Sequence, residues 1–152
     1  MHRFQVARED VGEKSLLVKG QQAIHLTRVL RLGIGAELFA FDNSGFEYRV
    51  RVSELRGDEV LCEIVTRVES KSEPPLDVFL IQGLPKSDKM ELIIQKTTEL
   101  GIKAIYPVRT TRAVVRLEGT KAGAKVERWQ KIAVEAAKQC RRSLAPEVKQ
   151  VM

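Results

Sequence analysis

The chain has 152 residues, with 26 Lys and Arg against 20 Asp and Glu, a formal charge of +6. That length fits one ordinary domain or two small ones. An apolar share of 43% supports a packed core, and charged residues of mixed sign at 30% exclude a disordered acidic or basic tail.

No run of 18 apolar residues occurs, which excludes a membrane span, and residues 1–10 lack the apolar stretch of a signal peptide. Cys62 and Cys140 are far apart and form neither a CxxC pair nor a Cys/His cluster. They predict two reduced thiols, a cytoplasmic setting and no metal. The basic balance, pI about 9.5, points toward a polyanionic partner such as nucleic acid.

In chain order, the first half reads mostly as β. Phe4 to Val6, Leu16 to Val18 and Leu38 to Phe41 are short strand candidates. One helix is expected from Gln21 to Leu32, ending at Gly33. Asp42-Asn43-Ser44-Gly45 has turn chemistry, since Asn and Gly accept positive φ. Phe46 to Leu55 alternates, with Tyr48, Val50 and Val52 on one face and Arg49 and Arg51 on the other. After a turn at Arg56-Gly57-Asp58-Glu59 comes a last strand, Val60 to Val68. Short strands with regular turns predict a small barrel or curled sheet. Ser70 to Pro75 reads as a linker, because Pro-Pro continues neither a helix nor a ladder.

The second half reads as α/β. Leu76 to Ile81 is nearly all apolar, as expected of a strand covered on both faces. The loop Gly83-Leu84-Pro85-Lys86-Ser87 follows, with Asp88 as N-cap and Glu91 completing a capping box. Met90, Ile93, Ile94, Thr97 and Leu100 repeat at helical spacing up to Gly101. Ala104 to Val108 is a second strand, and a second helix is expected over Lys125 to Cys140. Pro146 to Met152 reads as a loop opening another strand. Two strands and two helices are too few to cover both faces of a parallel sheet, so this half reads as incomplete.

Charge is unevenly divided. Residues 1–75 hold 11 basic and 12 acidic side chains, net −1, and residues 76–152 hold 15 and 8, net +7. Lys103, Arg109, Arg112 and Arg116 occur without an acidic residue from Gly101 to Leu117. Arg109-Thr110-Thr111-Arg112 follows the carboxyl end of a strand, the edge where open α/β sheets bind ligands. Arginine forks and threonine hydroxyls there suit phosphate. Lys86 and Lys89 flank a helix start and are candidate phosphate contacts, although the P-loop spacing is absent. His25, Arg28 and Arg31 fall within about 120° on a helix face. With Arg49 and Arg51 they form a second candidate RNA surface. Glu135 and Gln139, at i and i+4, share a helix face, and Arg142 follows just beyond. No Ser or Cys triad context surrounds His2 or His25.

The ordered series of segments resembles the ribosomal RNA small subunit methyltransferase E family. It runs from Met1-His2-Arg3-Phe4 and His25–Leu32 through Gly83–Glu91, Gln95–Gly101 and Pro107–Arg112 to Glu127–Ile132 and Glu135–Cys140. The resemblance implies an N-terminal PUA-like β-barrel for RNA over 1–73. It implies the first part of a SPOUT-type α/β methyltransferase domain over 74–152, without the knot region. It further implies methyl transfer from S-adenosylmethionine to uridine N3 of 16S ribosomal RNA in the small subunit, by a homodimer. RNA contact is then expected of His25, Arg28, Arg31, Arg49, Arg51, Lys86, Lys89, Arg109, Arg112 and Arg116. Glu135, Gln139 and Arg142 are the catalytic candidates. Cofactor-binding residues are expected beyond this stretch, so the 152 residues alone are expected to be inactive. The alternative is a short RNA-binding module without catalysis.

Overall fold

A computed structural model describes residues 2–86, 89–111 and 119–152. The chain divides into two compact units, Met1–Ser72 and Glu73–Met152.

The first unit is built on five strands: β1 (Arg3–Gln5), β2 (Ser15–Lys19), β3 (Glu37–Phe41), β4 (Phe46–Arg56) and β5 (Glu59–Glu69). Their order is β1-β3-β4-β5-β2, with β1 parallel to β3 and the other pairs antiparallel. The alternation in β4 buries Tyr48, Val50 and Val52 and exposes Arg49 and Arg51, as its period of two requires. Register shifts between Arg49 and Val50 and between Val52 and Glu54 bend the long β4–β5 hairpin. The sheet curls enough for Phe4 of β1 and Leu16 and Val18 of β2, from opposite edges, to share one core. Among the described residues no ladder joins β1 to β2. The unit is therefore a curled sheet rather than a closed barrel.

The Asp42–Gly45 turn is set by side-chain bonding. Asn43 and Gly45 have positive φ, and the Asp42 carboxylate accepts from the Ser44 amide, the Ser44 hydroxyl and, at 3.1 Å, the Tyr48 hydroxyl. Burial first, and then the Asp42 charge, push the Tyr48 hydroxyl above its ordinary pKa.

The helix expected over residues 21–32 is shorter and of mixed type. A short α-helix, α1 (Gly20–Ile24), passes into a π turn at His25–Val29. The Leu30 amide donates to the His25 carbonyl at 2.9 Å, five residues back. The chain then turns at Arg31, whose φ is +52°, so Arg31 rather than Gly33 ends the helical segment.

The second unit runs β6 (Phe79–Gly83), α2 (Lys89–Glu99), β7 (Ala104–Val108), α3 (Gly119–Gln139) and β8 (Glu147–Val148). Its strands are parallel in the order β6-β7-β8. Strand β8 completes a third rung at the start of the expected C-terminal strand. The first strand begins later than the apolar run, at Phe79, and is not covered on both faces. Met90 and Ile94 of α2 and Val126, Trp129 and Ala133 of α3 all pack with Leu80, Ile105 and Val148. Both helices thus cover one face, and Phe79 and Ile81 on the other are 52% and 75% exposed. Helix α3 starts six residues before the expected Lys125, because the Ala and Lys in Thr120–Ala124 favour helix enough to carry Gly123. Asp88, the expected N-cap of α2, lies outside the described residues.

Glu73 and Arg142 tie this unit together. Glu73 Oε2 accepts from Arg142 Nε and Nη2 at 3.0 and 2.6 Å. Its Oε1 accepts from the Ser143 and Leu144 amides at 3.0 and 3.1 Å. Arg142 Nη1 donates to the carbonyls of Thr98 and Ile102, both at 3.0 Å, at the C-terminal end of α2. There helix carbonyls lack intrahelical partners and a cation is favoured. Gly101 holds the adjoining turn at φ +97°, where an added Cβ would lie 2.7 Å from Pro74 Cγ.

Two predictions follow from this packing. Arg142→Ala removes both donors to Glu73 Oε2 and one donor to each of the Thr98 and Ile102 carbonyls, and is expected to cost about 3–5 kcal/mol, the usual loss on breaking a buried pair. Denaturant melts monitored by Trp129 fluorescence read this, and a loss below 1 kcal/mol contradicts the clamp. Burial pushes the Cys62 thiol up to about 12, whereas Cys140 is only partly buried. Ellman's reagent at pH 8 is expected to titrate one thiol in the native protein and two after unfolding.

Candidate nucleic-acid interface

In the first unit, the π turn displays His25 and Arg28, and the turn after it Arg31, at the surface, while Leu26 anchors the segment in the core. The His25 ring meets Phe4 edge-on at 6.2 Å between centroids, and Thr27 Oγ1 bonds the Ala23 carbonyl at 2.9 Å. Val29 and Ile34 lie nearby in the chain, 64% and 71% exposed. Among the described residues no carboxylate pairs with Arg28 or Arg31. Their charge is available to an anion.

The β4 arginines differ. Arg49 donates to Glu37 Oε2 through Nε at 3.0 Å and Nη2 at 2.6 Å, and Arg51 Nη2 donates to Glu37 Oε1 at 3.0 Å. These hydrogen bonds hold the Glu37 carboxyl below its usual pKa. A phosphate approaching Arg49 or Arg51 must compete with that carboxylate, and Arg3 is likewise bonded to Glu47 at 2.6 Å. Arg67, which sequence reading did not single out, lies over the Phe46 ring at 3.9 Å and near Tyr48 at 5.8 Å.

In the second unit, the carboxyl edge of the sheet bears Lys86, Lys89 and Arg109, all exposed. Arg112 and Arg116 lie outside the described residues. Two backbone amides at this edge are already bonded. The Leu84 amide donates to Val108 O at 3.0 Å, and the Arg109 amide to Met152 O at 2.7 Å.

Glu135 and Gln139 do share a face, as their spacing implies, and line a groove of about 530 Å³ on α3. It also takes in Gln95 of α2, and Arg128, Lys131 and Ile132, none of them a site candidate from the sequence. Helix α3 runs back from the carboxyl edge toward β8. At 1.5 Å per residue, Glu135 lies about 24 Å and Gln139 about 30 Å along it from Gly119. Arg142, the third catalytic candidate, is 4% exposed and holds the clamp described above, so it is a structural residue and not one that faces a substrate.

Among the described residues no group of His, Cys, Asp or Glu is arranged for a metal, and no helix is long and apolar enough to cross a membrane.

The free and paired arginines predict different salt behaviour. Replacing Arg28 and Arg31 by Ala is expected to lower the slope of log K against log salt for a single-stranded RNA by about 1.4. Replacing Arg49 and Arg51 is expected to leave the slope within about 0.3 of the parent. Fluorescence anisotropy from 50 to 300 mM salt reads both, and the reverse ranking contradicts the assignment.

Comparison with known proteins agrees with both units. An RNA methyltransferase domain family matches residues 72–152, and an RNA methyltransferase PUA domain family matches residues 18–65. The ribosomal RNA small subunit methyltransferase E of Bacillus subtilis is 39% identical over 134 residues, covering 88% of this chain and 52% of that protein. The Synechocystis protein of the same name is 34% identical over 147 residues, covering 97% and 46%. The chain spans about half the length of these curated relatives. The crystal structure of a ribosomal RNA small subunit methyltransferase E from Neisseria gonorrhoeae, bound to S-adenosyl methionine, superposes with a TM-score of 0.88 at 31% identity. That match covers 99% of this chain and 62% of the other. With the RNA methyltransferase domain model matched across its whole second unit, the chain belongs to the RNA methyltransferase domain family.

Proposed function

We propose that this protein serves S-adenosylmethionine-dependent methylation of a uridine N3 in 16S ribosomal RNA, as a cytoplasmic homodimer. Within that activity, residues 1–152 bind the RNA and contribute part of the catalytic domain. The observation that carries the reading is the likeness along almost the whole chain to relatives bearing that enzyme's name.

S-adenosylmethionine would supply the methyl group when bound. The Leu84 and Arg109 amides at the carboxyl edge already bond Val108 O and Met152 O and so are not the donors that would hold it. What the described residues offer is RNA contact. His25, Arg28 and Arg31 present exposed donors to phosphate, and Lys86, Lys89 and Arg109 extend the basic surface of the second unit. Arg112 and Arg116 belong to the same basic run.

The chemistry sets one further requirement. Uridine N3 carries a proton, so its methylation needs a base or a cation that stabilises the uridine anion. The target base must also leave its stack. A cationic arginine suits the uridine anion better than the Glu135 carboxylate, which repels it.

Incubation with 16S rRNA and methyl-labelled S-adenosylmethionine tests the reading. The 152-residue chain is expected to bind the RNA and transfer no label. A chimera in which the second half of the Bacillus subtilis relative follows Met152 is expected to yield 3-methyluridine on nucleoside mass spectrometry. Methylation of another atom or only of large-subunit RNA, or no transfer by a folded chimera that binds the cofactor, contradicts it.

A further inference from the structure

Helix α3 carries five basic and two acidic side chains over its 21 residues. Lys121, Lys125, Arg128 and Lys131 fall within about 120° of one another at 100° per residue. From Lys121 to Lys131 is about 15 Å along the helix. Among the described residues no carboxylate pairs with Lys121, Lys125 or Lys131. Arg128 bonds Glu91 of α2 through Nη2 at 3.0 Å, which fixes one wall of the groove to the neighbouring helix.

The stripe runs directly into that groove, since Arg128 and Lys131 belong to both. Beyond them the lining changes character. Ile132 and Ala136 give an apolar floor, and Gln95 and Gln139 give amides that donate and accept at its rim. The Glu135 carboxylate, bonded to Lys138 at 2.7 Å, puts negative charge inside. A phosphate is attracted to the stripe, whereas the apolar floor of the slot offers it no hydrogen-bond donor. A nucleobase has an apolar face and a polar edge with both donors and acceptors, and it suits the slot. The volume of about 530 Å³ lies within the roughly 300–1,000 Å³ of ligand clefts.

We propose that the outer face of α3 is a second contact for single-stranded RNA. The backbone follows Lys121, Lys125 and Lys131, and one unstacked base enters the groove between α2 and α3. This rests on the RNA reading above but concerns a different surface from the π turn and from the carboxyl edge. Charge complementarity favours a polyanion over a second copy of this chain, since two such stripes facing each other repel.

Fluorescence anisotropy with a labelled uridine dodecamer tests it on the 152-residue chain. The Lys121→Glu, Lys125→Glu, Lys131→Glu variant is expected to bind at least tenfold more weakly at 100 mM salt, with the salt slope reduced by about 2. Gln139→Trp fills the groove from an exposed position without changing charge. It is expected to weaken binding about fivefold with the slope unchanged, and to have no effect on an abasic strand of the same length. Circular dichroism and melting confirm folding in each case. Binding by both variants within twofold of the parent overturns the proposal. So does a loss of self-association in analytical ultracentrifugation with RNA affinity unchanged, which marks the groove as a protein contact. If RNA affinity falls on replacing Arg28 and Arg31 but not in these variants, only this inference fails. If neither set matters, the RNA reading fails with it.

Discussion

The second unit depends on one ion pair. Glu73 stands at its beginning and Arg142 after its last helix, 69 residues apart in sequence. Between them they hold the start of the unit, the C-terminal carbonyls of α2 and the amides that follow α3. Three chain segments meet there, and each would otherwise carry unmet polar groups in a buried place. The cost of burying two charges is offset only because nearly every lone pair and N–H of the pair is used. With both ends of the crossover fixed, the helices α2 and α3 are held on one face of β6-β7-β8, and the groove between them has defined walls.

In the proposed reading, the balance between free and paired cations decides which surfaces of each unit hold RNA. Arg3, Arg49 and Arg51 are spent on Glu47 and Glu37 within the sheet. Arg28 and Arg31, displayed by a π turn and a positive φ, are not. The same distinction separates Lys121, Lys125 and Lys131 from Arg128. A net charge of +6 is thus a poor guide to the interface, since a cation facing its own carboxylate adds little pull on a phosphate.

Much of this was legible in the residues. Alternation in β4, the turn at Asp42–Gly45, the cap at Gly101 and the apolar stripe of α3 all act through local chemistry, and local chemistry is what a sequence displays. The misses have a common cause in tertiary context. Nothing in His25–Val29 announces a π turn, because the extra residue is accommodated by the burial of Leu26 rather than by propensity. The apolar run Leu76–Ile81 looked covered on both faces, but which faces the helices choose depends on the whole unit. Arg142 looked like a reactive arginine because its partner lies 69 positions away. The basic stripe on α3 drew no reading from the sequence, because its meaning depends on the groove beside it, which needs Gln95 of another helix.

The central claim is that RNA lies on the uncompensated cations and not on the paired ones. Ultraviolet crosslinking of the protein to a uridine-rich RNA, followed by mass spectrometry of the peptides, tests it most directly. The account predicts crosslinks within His25–Arg31 and within Lys121–Gln139. Crosslinks confined to the β3–β4 face around Arg49 and Arg51 would contradict it.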